Sequence, residues 1–484
     1  MKKSLRFSAV VLTLVMIISC GKQKGIQTAT QFIPEDCPVV CVTNPHHIIS
    51  QSQISEQKDI LRSLEIPSDF FDNLSEYGID ENENVFAFLV SKSTYGASMK
   101  LADSEKFINK LCQEERFCKI FDKKNSCLYD DESGFKIIDD VIVFVYGENE
   151  DKDGIRSVIR DIEQSKGPNK TNQDRFFQEM IDEPSVLSVW MEPQKVIKLL
   201  RGTRFSHFTS KIRVLSSYLA EEGSVYYSIK SENGKLSLAS AGNYLDREYL
   251  DEFEKYSFKH LDYIPQDADM VLGFSLNGNI IIDFMEALGL KSHIDMAKML
   301  GLDIWSLIDN IDGDITLSIN SLKMNSGSVV PEVDASILID MEDEALASSF
   351  ASNLNNKFSP LSKKVEDNTY EIFLESLGQL NYGLKNRSLY LNLSKSSFNK
   401  VKKAYKFNRL KNNVIAVMSI KSDNIDKETF RLLEKNVGMD LDFFDSMDMV
   451  TWLEADVVRQ EFELNLHNDI NPLALILTII KKEL

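Results

Sequence analysis

Short runs of alternating apolar and polar residues recur along the chain and predict β-strands. The clearest runs lie at 85–91, 134–138 and 141–146 in the first half, and at 369–374, 380–384 and 388–393 in the second. Asp139-Asp140 and Lys385-Asn386-Arg387 separate neighbouring runs and predict tight hairpin turns. The pattern therefore favours mainly antiparallel sheets built from hairpins.

Apolar residues at helical spacing predict helices between these strands. Phe107, Ile108 and Leu111 fall on one face of a helix that begins after the capping sequence Asp103-Ser104-Glu105. Further helices are expected at about 151–165, 174–180, 193–200, 205–219, 247–256, 281–290, 398–405, 427–435 and 472–480, with a polar loop at 166–172 and a final hairpin of strands at 449–457 and 460–466. We predict an α+β fold in which sheets pack with helices.

One stretch of sequence occurs twice. Gln31-Phe32-Ile33-Pro34-Glu35-Asp36 and Asp262-Tyr263-Ile264-Pro265-Gln266-Asp267 each precede an apolar run. The predicted elements then follow in the same order, at offsets of about 225 to 250 residues. Acidic stretches at 80–84 and 309–314 are the corresponding turns in this alignment. We predict two tandem, similar modules over 31–261 and 262–484, which suits a chain too long for one growing core.

The first nineteen residues have the pattern of a signal peptide. Lys2, Lys3 and Arg6 precede an apolar stretch that is too short to span a bilayer comfortably. Leu14-Val15-Met16-Ile17-Ile18-Ser19-Cys20-Gly21 resembles a bacterial lipobox, which implies lipidation of Cys20 and a flexible tether over 20–30. A plain secretory signal that is cut elsewhere is the alternative.

The residues after Cys20 indicate in which membrane the lipoprotein would reside and which side it would face. Gly21 is similar to the residue that follows the cysteine in lipoproteins released to the outer membrane. Lys22, Gln23 and Lys24 lack the acidic cluster that resembles a surface-export signal. We therefore predict a protein of the cell envelope, anchored by lipid in the outer membrane and facing the periplasm.

The charge of the chain excludes one class of partner. The net charge is −19, from 74 acidic and 55 basic residues, and signal cleavage would remove three basic residues and no acidic one. The electrostatic field of such a negative charge repels nucleic acid. The expected partners are the membrane, through Cys20, and an envelope protein.

Five cysteines remain after Cys20, namely Cys37, Cys41, Cys112, Cys118 and Cys127. Cys37 and Cys41 are four residues apart in a predicted strand, about 13 Å at the usual rise, which is too far for a disulfide. One disulfide between two of the other three cysteines is the alternative, and buried free thiols are the simpler expectation. No Cys-x-x-Cys pair supports structural zinc.

Catalytic motifs are absent from the sequence. It has no Gly-x-Ser-x-Gly, no His-Glu-x-x-His and no phosphate-binding loop. Its histidines stand singly except His46-His47, which we interpret as a surface dipeptide. Asp309-x-x-Asp312-Gly313-Asp314 faintly resembles a calcium loop but lacks the alternating aspartates and the distant glutamate. We therefore assign no catalytic residue, metal or cofactor.

Two further features of the sequence are structural or weak. Trp190, Trp305 and Trp452 stand in apolar contexts and are expected to pack in the core rather than stack on sugars. Asp445-Ser446-Met447 resembles a short O-glycosylation sequon of exported proteins, and a plain turn is the alternative.

The lipobox, the Ile-Pro-x-Asp motif before a strand, the stretch Ile311-Asp312-Gly313-Asp314-Ile315-Thr316-Leu317 and the duplicated layout are similar to a Bacteroidetes-type lipoprotein family catalogued as a domain of unknown function. The resemblance covers nearly all of 31–484 and implies no catalytic residue. We predict a non-enzymatic binding or scaffolding module. The alternatives are an envelope hydrolase acting on carbohydrate or peptide, and a periplasmic carrier of a small ligand.

Overall fold

The structure is a computed structural model of the chain. It describes residues 28–47, 73–113, 115–148, 150–183, 185–200, 216–232, 234–287, 289, 294–296, 298, 302–323, 332–359, 361–374, 378–394, 398–407, 411–422, 425, 429, 431, 443–467 and 470–473. Cys20 and most of the helices expected at 205–219, 427–435 and 472–480 lie outside these residues. The described residues form two compact units, one of residues up to 200 with 220–244 and 470–473, the other of 216–219 and 245–467. The module limits 31–261 and 262–484 remain predictions.

The first unit contains nine antiparallel strands in its described part. They are β1 (Val39–Thr43), β2 (Val85–Leu89), β3 (Thr94–Lys100), β4 (Cys127–Tyr129), β5 (Ser133–Ile138), β6 (Val141–Gly147), β7 (Leu187–Met191), β8 (Val225–Glu232) and β9 (Lys235–Gly242). Hydrogen-bonded neighbours give the order β4-β5-β6-β3-β2-β1-β7-β8-β9. The earliest strand is thus central, and the later hairpins extend the sheet on both sides.

The second unit contains ten antiparallel strands in its described part. They are β10 (Met270–Asn277), β11 (Ile311–Lys323), β12 (Glu332–Met341), β13 (Ser362–Glu366), β14 (Thr369–Leu374), β15 (Gly378–Lys385), β16 (Ser388–Ser394), β17 (Val414–Lys421), β18 (Phe444–Glu454) and β19 (Val457–Leu466). Their order is β13-β14-β15-β16-β12-β11-β10-β17-β18-β19. Apart from the added strand β13, this is the order of the first unit.

Both units also contain α-helices. They are α1 (Ser104–Leu111), α2 (Glu115–Ile120), α3 (Lys152–Gln164), α4 (Lys170–Gln173), α5 (Arg175–Asp182), α6 (Pro193–Leu200), α7 (Arg247–Leu250), α8 (Gly278–Ala287), α9 (Ile304–Asp309) and α10 (Glu344–Phe358). The predicted cap of α1 is confirmed, since the Asp103 side chain accepts from the Lys106 backbone N–H. Asp343 caps α10 in the same way. An α+β architecture is therefore present in both units.

Each unit has its own core between sheet and helices. In the first, Phe117, Phe121 and Phe135 are buried together with β-sheet residues such as Val85. In the second, Ile311, Ile315, Met341 and Leu389 are buried, with partly buried residues of α8, α9 and α10 against them. Because successive strand residues point to opposite faces, the alternate residues of β11, β12 and β16 lie on the other face of that sheet.

The structure confirms the hairpin turns predicted at Asp139-Asp140 and Lys385-Asn386-Arg387. Asp139 and Asp140 have φ of 50° and 61°, and Asn386 and Arg387 have φ of 53° and 64°. Two consecutive residues with positive φ give the turn whose twist matches the flanking strands. The final hairpin turns at Ala455-Asp456 rather than at 458–459, and Ala455 has φ of 57°.

The predicted acidic turn at 309–314 is wrong. α9 ends at Asp309, and β11 begins at Ile311, so that Asp312 and Asp314 are strand residues. A register shift lies between Ile311 and Ile315, and Gly313 has φ of 115°. The strand continues through this acidic stretch because Asp314 is buried and hydrogen-bonded, as described below.

The predicted helix at 398–405 is also wrong. The backbone N–H groups of Val401 and Tyr405 donate to the carbonyl oxygens of Asp262 and Ile264 instead of to a helical partner four residues earlier. An isolated bridge joins Ala404 to Pro265. This segment is extended because the second copy of the repeated motif supplies its hydrogen-bond partners.

Three smaller predictions also differ from the structure. The loop expected at 166–172 contains the start of α4, which is closed by a capping box between Asn169 and Asn172. The helix expected at 247–256 ends at Leu250. Strand β13 had no alternating pattern to reveal it, since most of its residues are exposed.

Candidate binding cleft of the second unit

The second copy of the repeated motif carries the most concentrated chemistry in the described residues. A short 3-10 helix, Lys259–Tyr263, runs into Ile264. Its residues contact Thr316, Asp340 and Ser388, which occupy the sheet face opposite to α8, α9 and α10. The motif therefore lies across polar positions of three neighbouring strands.

His260 is the centre of a buried polar network. It is only 2% exposed. Its Nδ1 lies 3.0 Å from Thr316 Oγ1, and its Nε2 lies 3.1 Å from Asp340 Oδ1 and 3.0 Å from Ser388 Oγ. Ser388 Oγ also donates to Asp340 Oδ1 at 2.7 Å. Both ring nitrogens thus have partners inside the protein, as a buried polar group requires.

The network extends to the start of the second unit. The Tyr256 hydroxyl lies 2.6 Å from Thr316 Oγ1. Gly273 leaves room for the Tyr256 ring, because a Cβ there would come within 2.5 Å of it. Asp314 accepts from the Ser257 N–H at 2.9 Å and from the Ser257 hydroxyl at 2.5 Å. These contacts attach residues 256–263 to the sheet.

The two buried carboxylates of the network differ in their acidity. Burial raises the pKa of Asp340, but hydrogen bonds from His260, Lys259 and Ser388 outweigh it and lower the pKa to about 2. Burial raises the pKa of Asp314, and the bonds from Ser257 offset this only in part. Asp340 is therefore the carboxylate held firmly in its charged form.

This arrangement does not have the geometry of a catalytic triad. Ser388 and Asp340 both face the same histidine nitrogen, so the ring cannot relay a proton from the serine to the carboxylate. Thr316 faces the other nitrogen but is fully buried. The network has the features of a structural support that positions the motif.

An open cleft lies beside this network. Its volume is about 100 Å³, and its lining comprises Lys259, His260, Asp262, Tyr263, Leu338, Lys385, Asn386, Ser388, Tyr390, Phe398 and Lys400. The Phe398 ring stacks between Tyr263 and Tyr390, with centroid distances of 5.0 and 4.5 Å. The cleft therefore has an apolar aromatic side built from three separate segments.

Three lysines supply positive charge to this cleft. Lys259 Nζ lies 2.6 Å from Asp340 and Lys400 Nζ lies 2.6 Å from Asp262. Lys385 donates to the Phe398 carbonyl oxygen at 3.4 Å, and its Nζ lies 5.6 Å from the centroid of the Tyr263 ring. Among the side chains that line the cleft, three thus carry an ammonium group and one, Asp262, carries a carboxylate, on a chain whose net charge is −19.

The first copy of the motif has the same local shape with different chemistry. Its 3-10 helix, Thr28–Phe32, also ends on an aromatic residue. Lys166 lies over the Phe32 ring but is paired with Asp139 of the β5–β6 turn. In the second unit the β15–β16 turn offers Asn386, whose amide nitrogen lies 3.2 Å from the Tyr263 hydroxyl. The lysine excess therefore belongs to the second unit.

A second cleft, of about 210 Å³, lies on β17, β18 and β19. Three carboxylates line it, those of Asp448, Glu461 and Glu463. Lys411 pairs with Glu461 at 2.7 Å. Among the residues that the structure describes, no three His, Cys, Asp or Glu side chains are placed to hold a metal ion.

The residues singled out from the sequence lie mostly elsewhere. The ring centroids of His46 and His47 lie 6.1 Å apart, with the rings tilted by 46°. Asp314 of the suspected calcium loop accepts a hydrogen bond from the Ser257 hydroxyl. Trp190 is buried and donates to Asp174 at 2.9 Å, whereas Trp305 donates to Asp295. Ser446, in the suspected sequon, lies within β18 rather than in a turn.

The five cysteines after Cys20 carry free thiols. Cys37 and Cys127 are buried, and the other three are partly exposed. In the described part of the chain, helices remain too short or too polar to cross a membrane.

Sequence reasoning missed the His260 network because it treated each histidine singly. Asp340 and Ser388 are separated from His260 by 80 and 128 residues. One signal was present, since Asp340 and Ser388 are polar residues inside otherwise apolar strands. Such residues need partners, but the sequence does not name them.

Known proteins give limited further information. A family model described as a domain of unknown function, DUF4836, matches residues 62–427. No curated protein matches the chain. Crystal forms III and I of TP0453 are similar at 7% and 8% identity, covering 46% and 45% of this chain and 82% and 79% of theirs, with TM-scores of 0.28.

Proposed function

The chain belongs to the DUF4836 family of domains of unknown function, and we propose that it is a cell-envelope lipoprotein whose second unit is a non-enzymatic binding module. The observation that carries the binding part is the cleft of Lys259, Lys385 and Lys400 beside an aromatic stack. Ammonium groups next to aromatic rings favour an acidic group attached to an apolar body.

The size of the cleft favours a protein partner. Sites for drug-sized molecules usually measure about 300–1,000 Å³, and this cleft measures about 100 Å³. A single acidic side chain or a chain terminus fits such a volume. The ligand we propose is therefore an acidic group on an envelope protein, and the anchored chain acts as a scaffold for that protein.

The membrane anchor is proposed from the sequence. Lys2, Lys3 and Arg6, the apolar run and Cys20 support cleavage before Cys20 and lipidation of its thiol and amine. Gly21 and the absence of an acidic cluster support an outer-membrane position that faces the periplasm. Recovery of the wild-type chain in the soluble fraction instead of the membrane fraction would show that the anchor proposal is wrong.

We also propose that the two units are copies of one module. Their strand orders correspond from the centre outwards, with only β13 added. Phe32 and Tyr263 each end a 3-10 helix, and the isoleucine that follows each of them, Ile33 or Ile264, is buried. One copy then acquired the lysine-rich cleft.

A hydrolase remains the second candidate because of the acidic cleft. Asp448 and Glu463 are directly opposite on β18 and β19 and could act on a carbohydrate or peptide. If so, Glu463→Gln would abolish hydrolysis of envelope glycan or peptide substrates by the purified chain. A small-ligand carrier requires a larger apolar cavity, which these two clefts do not provide.

The test is affinity capture from native envelope with the anchor intact, beside a Cys20→Ala form. We expect the wild-type chain to fractionate with membranes, to incorporate labelled fatty acid and to retain a stable protein partner. Cys20→Ala should lose the label, leave the membrane fraction and lose the partner. Capture of nothing by the anchored chain would contradict the scaffold role.

A further inference from the structure

Strand β13 forms one edge of the sheet in the second unit. It pairs with β14, and its other side has no strand partner in the described part of the chain. Four of its five residues, from Lys363 to Glu366, are exposed. The described part of the first unit has no corresponding strand. The second unit therefore contains an additional strand that contributes little to its buried core.

Exposed apolar side chains gather at this edge. Phe358 ends α10, Leu361 directly precedes β13, Val365 lies within it and Phe373 lies on β14. All four are exposed, Val365 by 45% and Phe373 by 67%. Exposed apolar residues beside an unpaired strand are typical of a site where another protein strand can pair. The edge is therefore a candidate interaction surface.

Contacts within the second unit hold this edge in place. The Ser362 hydroxyl donates to the Asn355 side-chain oxygen at 2.6 Å and lies 3.0 Å from the Tyr382 hydroxyl. These contacts attach the start of β13 to α10 and β15. Because the strand is already ordered, pairing with it costs little conformational entropy.

The order of charges along β13 is complementary to a reversed copy of itself. Lys363 and Lys364 precede Val365, and Glu366 and Asp367 follow it. In an antiparallel pair of two β13 strands centred on Val365, Lys363 faces the partner's Asp367 and Lys364 faces the partner's Glu366. Two-fold symmetry repeats both contacts on the other side of the centre. A parallel pair in register would instead bring lysine against lysine.

The same charges make the edge selective. Lysines on an edge strand oppose pairing with strands that offer them no carboxylate. A register shift leaves Val365 without a partner on β14, and such a bulge disrupts a ladder locally. Lys364 lies 2.9 Å from Asp367 in its own chain, but both side chains are exposed, so this ion pair is readily exchanged. The edge therefore favours a short strand with matching charges.

We propose that β13 is the interface through which two copies of this chain form a dimer. The two strands pair antiparallel about Val365, with two ion pairs on each side of the centre. Because each copy uses its β13 edge in the same contact, the two-fold pairing is closed and ends at two chains. The interface is separate from the lysine-lined cleft, whose lining residues include none of β13.

Sedimentation equilibrium in a density-matched detergent measures dimerisation of the purified full chain, whether or not it carries a lipid. Lys363→Glu with Lys364→Glu makes the edge acidic, and Glu366→Lys with Asp367→Lys makes it basic. Each variant should dimerise at least about tenfold more weakly, because like charges then face each other. A mixture of the two should form a mixed dimer. The chain with all four changes should dimerise as the wild type does.

A control variant separates this effect from a change in net charge. Lys402→Glu with Lys406→Glu makes the same charge change as the acidic edge variant, at exposed lysines outside β13. This control should dimerise as the wild type does. Equal weakening by the control and the acidic edge variant would show that the overall charge, rather than the edge, governs association.

A cysteine at the centre of the proposed pair tests its register. The Cα atoms of facing residues in an antiparallel pair lie about 4.5–5.5 Å apart, within the range of a disulfide. Oxidation of Val365→Cys should therefore link two copies through their tryptic peptides 365–385. Phe373→Cys, at a more exposed position on β14, should not link to its own counterpart.

Two results would overturn the proposal. One is a wild-type chain that stays monomeric up to its highest soluble concentration. The other is a dimer that both edge variants leave intact, because it would use another surface. If an edge variant fails to fold, the wild-type sedimentation and the Val365→Cys link decide the matter.

Discussion

Asp340 is the residue on which the second unit's polar network depends. It accepts from His260, Ser388 and Lys259, and its carboxylate also receives the Asp314 backbone N–H at 3.1 Å. A buried carboxylate with this many donors stabilises the fold, whereas its removal leaves the donors without a charged partner.

Asp340→Asn should therefore lower the free energy of unfolding by about 3 kcal/mol, since one partner of a buried charge network is removed. Urea unfolding monitored by far-ultraviolet circular dichroism measures this change. Asp262→Asn is the matched control, because Asp262 pairs with Lys400 at an exposed site and should cost under about 1 kcal/mol. Equal effects of the two changes would show that the network is not the stabilising feature.

The acid dependence of stability follows from the same carboxylate. The pKa of Asp340 in the folded state is about 2, below its unfolded value of about 4. Its contribution is thus present above about pH 4 and is lost as the pH falls toward about 2, by about 2 kcal/mol. The difference in urea midpoint between wild type and Asp340→Asn should shrink over that range.

Asp314 has the opposite effect on the pH dependence of stability, and its contribution must be separated from that of Asp340. Burial raises its pKa, so its protonation favours the folded state as the pH falls. Asp314→Asn introduced into both proteins removes this contribution, because Asp340 is one of the groups that raise the pKa of Asp314 and its loss would change that pKa. A midpoint difference that does not change with pH would contradict the lowered pKa of Asp340.

Helix caps set the junctions between sheet and helices at the scale of the element. Asp103 follows β3 and caps α1, and Asp343 follows β12 and caps α10. Each aspartate stands at the same step of its unit. The Asp343 side chain accepts from the backbone N–H groups of Ala345 and Leu346.

Asp343→Ala should destabilise the second unit by about 1 kcal/mol, whereas Asp343→Asn, which retains a capping oxygen, should cost little. Asp103→Ala should have a similar effect on the first unit. Urea unfolding measures both losses. An Asn variant as unstable as the Ala variant would show that charge, rather than capping, is what matters at this position.

Local signals account for the elements that the sequence predicted. The cap at Asp103 and the hairpin turns at Asp139-Asp140 and Asn386-Arg387 depend on residues within a few positions, and they were found. The 398–405 segment was read as a helix because its hydrogen-bond partners, Asp262 and Ile264, lie far away in the chain. Partners at that distance cannot be identified from local pattern.

The candidate site was beyond sequence reasoning for the same reason. The repeated Tyr263-Ile264-Pro265 stretch was recognised, but its role as one wall of a cleft was not. Lys385 and Lys400 reach the Tyr263 ring from the end of β15 and from the extended segment. Only the folded chain brings these cations together, since nothing in their spacing marks them as a set.

At the scale of the molecule, a chain with a strongly negative net charge carries a lysine-lined cleft in the described part of its second unit. The net charge of −19 disfavours approach of acidic partners in general. The proposed recognition of an acidic group takes place at this cleft, where lysines outnumber carboxylates among the lining residues. Such a contact gives specificity through local charge rather than through the overall field.

The most direct measurement of the proposed function is quantitative capture of the envelope partner by three forms of the anchored chain. The test form is Lys385→Glu with Lys400→Glu, which reverses two cleft charges. The control is Lys402→Glu with Lys406→Glu, which makes the same charge change at exposed lysines outside the cleft. The proposal predicts that wild type and control retain the partner and that the cleft variant loses at least tenfold in affinity, about 1.4 kcal/mol. Equal retention by all three forms, with the cleft variant folded, would contradict binding through the cleft.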